Sequence, residues 1–122
     1  MKTPKPILER RRSVRISESL PFKIGHESYE CTARTINISE YGALVVVDKS
    51  IPVMTMMALA LTLPGKSAAS KGKTIRMKGV VVRRDADESG GKFLIAVYFS
   101  EIDSKDRRTL QQFIESRAPR QP

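Results

Sequence analysis

The sequence predicts a mainly β domain, a small antiparallel barrel or sandwich of about six strands with one helix at its C-terminal end. Three observations predict it. Between Leu20 and Ser100, apolar and β-branched runs recur at short intervals, about six of them in roughly 80 residues. The links between the runs are short and carry Gly, Asn, Asp and Ser, the residues of tight turns. Only after Asp103 does the apolar period change from that of a strand to that of a helix.

Residues 1–16 read as an extended, flexible arm, because Pro4 and Pro6 discourage helix and the following "ILERRRSVRI" has only weak periodicity. The barrel with its helix is assigned to 17–117 and a short tail to 118–122. In "LPFKIGH", Leu20, Phe22 and Ile24 alternate onto one face, and Gly25 to Ser28 supply a turn. "YECTARTINIS" is a long strand, "YGALVVVD" a continuous β-branched one, and "MMALALTL" a further strand ending at Pro64. Gly65 to Lys73, "GKSAASKGK", reads as a flexible loop; it lacks the order of a phosphate-binding loop. "KTIRMKGVVVRR" and "KFLIAVYFS" form a pair joined by "DADESGG". In "DSKDRRTLQQFIESR", Asp103 or Ser104 can cap a helix whose Leu110, Phe113 and Ile114 share one face, and Pro119 closes it.

The chain has 122 residues, of which 40% are hydrophobic, enough for one modest core. Lys and Arg number 22 against 13 Asp and Glu, a formal charge of +9. Residues 1–15 hold six of the cations against Glu9 alone, 6 − 1 = +5. That asymmetry favours an anionic partner: nucleic acid, an acidic membrane surface or a phosphorylated small molecule. One cysteine, Cys31, and one histidine, His26, exclude an internal disulfide and a zinc site of ordinary Cys/His type. Both read as structural, Cys31 as a small buried apolar residue. No window approaches the about 18 apolar residues of a membrane span, and no apolar segment follows the N-terminal charge to make a secretion signal, so the "NIS" triplet at Asn37 carries no glycosylation meaning. A reducing cytoplasm is the expected setting. No Ser/His/Asp set or metal cluster is spaced for catalysis, and no cofactor is expected.

Two stretches can carry recognition. In "RRSVR", Arg11 and Arg15 are four apart; on extended backbone they project to one side about 13 Å from each other. Two planar guanidiniums so placed can close on one bulky anion, pairing with phosphate or guanine or stacking on a base. Alone, the pattern also describes a solvated tail. In "NISEYG", Asn37 and Ser39 are two apart and so expected on one face, offering a carboxamide and a hydroxyl to a purine edge. Gly42 can take φ > 0 at the turn. Alone, this stretch also describes an ordinary hairpin turn.

Together the stretches resemble the paired RxxxR and [D/N]xSxxG motifs of the PilZ domain family, bacterial receptors for cyclic di-GMP. Both match in full, in the family's order, and "GALVVVD", "GVVVRR", "FLIAVYF" and "LQQFI" look like the rest of the domain, so the resemblance runs from Glu9 to Arg117. It implies a six-stranded antiparallel barrel with a C-terminal helix and a ligand on its outer face. Arg11 and Arg15 would grip guanine and phosphate, while Asn37, Ser39 and Gly42 would line the guanine surface. Arg10 stands where the family's side chain influences whether one ligand or a stacked pair binds, and an arginine there points to the pair. Arg12, Arg83 and Arg84 add charge without a role fixed by spacing. Asn37 replaces a common Asp, so no negative charge balances the arginines. The implied protein is a non-enzymatic receptor whose arm moves on binding and signals to a protein partner the sequence does not identify. The alternatives are a PilZ-like interaction module without ligand, in pilus or flagellar control, and a small-barrel nucleic-acid binder. Against the last stand only seven aromatic residues and no row of them along a strand.

Overall fold

Alternation of buried and exposed residues sets the architecture. The computed structural model describes residues 14–26, 29–65, 72–87 and 91–117. Six strands follow in order: β1 (Pro21–His26), β2 (Tyr29–Ile38), β3 (Gly42–Val47), β4 (Met56–Leu63), β5 (Lys73–Asp87) and β6 (Lys92–Ile102). They close an antiparallel barrel in the spatial order β1-β2-β3-β6-β5-β4, sealed where Phe22 of β1 pairs with Leu61 of β4. Phe22, Ile24, Val45, Val47, Leu61, Ile75, Val81, Ile95 and Phe99 fill the interior, all close to fully buried. Among the described residues one helix, α1 (Ser104–Arg117), packs Leu110 and Ile114 into the same core with Phe113 partly covered, the face expected from their spacing. Asp103 caps it: its Oδ2 accepts the Lys105 N–H and its carbonyl accepts the Arg107 N–H.

Three readings change. The sequence places Ile16 at the end of the arm, yet Ile16 is buried and exchanges two backbone hydrogen bonds with Ile38, each 3.0 Å, so its side chain belongs to the core. "DADESGG" is not all connection. Asp85, Ala86 and Asp87 continue β5 against Leu94, Phe93 and Lys92, because a ladder already in register outweighs the low strand propensity of Asp. Gly42 is extended rather than left-handed: among the described glycines only Gly91 has positive φ.

Bulges do the bending that closes so small a barrel. β5 is interrupted between Lys78 and Gly79 and again between Val81 and Arg83, letting one 15-residue strand serve both β4 and β6. At Gly79 a Cβ would lie 2.6 Å from Leu59 Cδ1 and 2.9 Å from the Tyr98 carbonyl oxygen, so the inner strands close only over a residue without one. A third bulge, between Thr35 and Asn37, puts Ile36 and Asn37 outward in succession before Ile38 returns to the core.

Candidate functional site: a depression where the two motifs meet

The segment before β1 is laid onto β2 by one buried hydroxyl. Thr35 Oγ1 accepts the Leu20 N–H at 2.9 Å and donates to the Glu18 carbonyl, while the Thr35 N–H donates to the Leu20 carbonyl at 3.1 Å. Arg34 adds two bonds to Ser19, from Nε to Oγ and from Nη2 to the carbonyl. With Ile16 bridged to Ile38, these ties fix Arg15 beside the end of β2. Its Nη1 donates to Asn37 Oδ1 at 2.7 Å. The bulge before Asn37 turns that carboxamide outward to receive it.

The turn after β2 is built by Ser39, whose side chain is fully buried. Its N–H donates to the Gly42 carbonyl at 2.8 Å, and its hydroxyl accepts the Tyr41 N–H at 3.1 Å. Gly42 follows at a close crossing: a Cβ there would come 2.3 Å from the Val97 carbonyl oxygen. Ser39 and Gly42 thus shape the turn from beneath, whereas Asn37 presents its side chain at the surface. Asn37 and Ser39 differ in exposure despite their two-residue spacing, because β2 ends at Ile38 and the turn takes Ser39 out of the strand alternation.

Arg15, Asn37, Ser39 and Gly42 converge on one surface depression of about 320 Å³. Arg10 and Arg11, with Arg12, lie outside the described residues. Sequence spacing did not find the remaining lining: Leu44 and Ala96 on the floor, and Tyr41, Val82, Arg83 and Tyr98 around it. The signal was present only as cross-strand register, which sets Tyr98 opposite Gly42 and Ala96 opposite both Leu44 and Arg83. Arg84 is engaged with the Ser50 hydroxyl at 2.6 Å. The turn is pinned from the other side by α1: Arg107 donates to the Glu40 carbonyl and lies 5.6 Å over the Tyr41 ring, and Gln111 donates to Glu40 Oε2 at 2.8 Å.

The PilZ domain family model matches residues 9–116. This chain belongs to the PilZ family. Among solved structures, the PilZ chain is similar to the Bacillus subtilis inhibitor of motility (MotI/DgrA), with a TM-score of 0.76 and 29% identity over 88% of its own length. It spans about half of that protein, 51%. It also shares its fold with the PilZ domain of YcgR from Escherichia coli, solved with c-di-GMP, at a TM-score of 0.60 and 16% identity, covering 88% of this chain and 91% of that one. No curated protein matches the chain. Among the described residues, no helix is long and apolar enough to cross a membrane.

Proposed function

We propose that this PilZ domain is a non-enzymatic receptor for cyclic di-GMP, binding the nucleotide through its RxxxR and NxSxxG motifs and signalling to a protein partner by rearrangement of the N-terminal arm. The Arg15–Asn37 hydrogen bond carries the reading, since it joins the second arginine of one motif to the first residue of the other at the rim of one depression. A guanidinium has five N–H donors, and this bond uses one. Asn37 is neutral, so the positive charge of Arg15 stays available to a ligand that carries two phosphates. The similarity to a domain solved with c-di-GMP and to an inhibitor of motility supports the reading. Arg10 and Arg11 would complete the grip from the arm, with Arg10 favouring a stacked ligand pair. The proposal invokes no cofactor, and a cytoplasmic setting suits both a nucleotide messenger and an unpaired thiol.

Isothermal titration of the protein with cyclic di-GMP tests this, with GMP and Arg15→Ala as controls. Saturable binding that Arg15→Ala abolishes while the barrel stays folded is the expected result, and a stoichiometry of two ligands per chain, reduced to one in Arg10→Ala, would support the stacked pair. Folded protein that gives no heat at tens of micromolar ligand overturns the receptor and favours an interaction module acting through protein contacts alone.

A further inference from the structure

The motif residues occupy only one side of the depression. Across it, the register runs Asn37, Leu44, Ala96, Arg83 over four neighbouring strands, a row about 14 Å long at the usual strand spacing. Such a span is wider than one purine. The side built by β5 and β6 differs from the motif side built by β2 and β3. Tyr98 stands opposite Gly42, which has no side chain to cover it, and remains 50% exposed. Its side chain makes no hydrogen bond or ring contact among the described residues, although burying the same residue type usually engages its hydroxyl. Val82, displaced outward at the bulge of β5, adds an apolar edge. Arg83 pairs with Asp85 at 3.2 Å, but both groups are more than half exposed, so the pair is weak and the guanidinium can turn to another anion.

We propose that Tyr98, Val82 and Arg83 form a second base-binding shelf that takes the other guanine of a cyclic dinucleotide, the ring stacked on Tyr98 and Arg83 meeting its O6/N7 edge or the adjoining phosphate. The proposal rests on the receptor reading above and adds to it a subsite outside both motifs. An aromatic platform suits a base because every base offers a π face, and the flanking arginine supplies the charge that an apolar shelf lacks. Leu44 and Ala96 line the depression between the two sides.

The experiment is titration of cyclic di-GMP into the wild type, Arg15→Ala, Tyr98→Ala, Tyr98→Phe and Arg83→Ala, with the thermal midpoint of each variant measured, together with proton NMR of the tyrosine rings. Tyr98→Ala is expected to weaken binding about tenfold or more, within the range for loss of one stacked aromatic. Tyr98→Phe retains binding, Arg83→Ala weakens it, and the Tyr98 ring resonances of the wild type move upfield on saturation. Wild-type protein that does not bind overturns the receptor reading and the shelf with it. Binding that requires Arg15 but is unchanged in Tyr98→Ala, or Tyr98 resonances that do not move at saturation, overturns the shelf alone.

Discussion

Thr35 shows how one side chain can hold a site it never touches. Its buried hydroxyl serves both Leu20 N–H and Glu18 C=O, so Thr35→Val keeps the shape and strands both groups. That should cost about 1–3 kcal/mol in denaturant unfolding and weaken the proposed binding of cyclic di-GMP by loosening Arg15, whereas Thr35→Ser should restore much of both. Gly42 calls for the opposite caution. A methyl there meets a backbone carbonyl, so Gly42→Ala should lose about 1–3 kcal/mol of stability with no ligand present. Loss of binding in that variant would report on the fold and not on a ligand contact. Cys31 is buried, and burial, followed by the Asp48 charge, raises its thiol pKa above the ordinary value. The folded state therefore holds that proton more tightly than the unfolded chain does. Stability from this source is complete below the unfolded thiol's pKa and is lost as pH rises through the folded one. Native protein should react slowly with a thiol reagent at neutral pH, and Cys31→Ala should lose less stability than the wild type as pH rises through the thiol range. The burial of Cys31 was legible from residue type alone. The importance of Thr35 was not, because a threonine in a strand looks the same whether its hydroxyl meets water or a carbonyl.

Among the elements, α1 was the most legible, since Leu110, Phe113 and Ile114 lie at the spacing of one helical face. Which side of the barrel that face covers was not. The structure ties α1 to both halves of the candidate site, to the turn through Arg107 and Gln111 and to the leading segment through Arg117, whose Nε lies 3.8 Å from Glu18 Oε2. Leu110→Ala should cost about 2–5 kcal/mol, read as a fall in the unfolding midpoint. Gln111→Ala, at a half-buried position, should leave stability almost unchanged and speed amide hydrogen exchange in the turn at Glu40 and Tyr41. The strands were legible to within a few residues wherever the alternation was strict, as in β1 and β4. They were least legible in β5, where two bulges shift the facing of successive side chains and where Asp85 to Asp87 remain in the ladder against their propensity.

Over the whole molecule, closure depends on pairing the first strand with the fourth, a contact between segments far apart in sequence. Such topology folds slowly for its size, and refolding from denaturant should proceed in milliseconds to seconds as one cooperative transition. The formal charge of +9 adds a long-range attraction for any anionic ligand, so if cyclic di-GMP is the ligand, as proposed, its affinity should fall as salt is raised from low to physiological ionic strength. The strand-rich class, the buried face of most strands, the amphipathic helix and the two polar stretches are all readable along the chain, because alternation, helical spacing and turn chemistry are local properties that each segment carries with it. That Arg15 meets Asn37, that Ser39 turns inward to build the turn while Asn37 faces out, and that Val82, Arg83 and Tyr98 complete the same depression emerges only in the folded barrel. Those outcomes depend on register between distant strands. A single bulge changes register by one residue, and with it the face on which a side chain emerges.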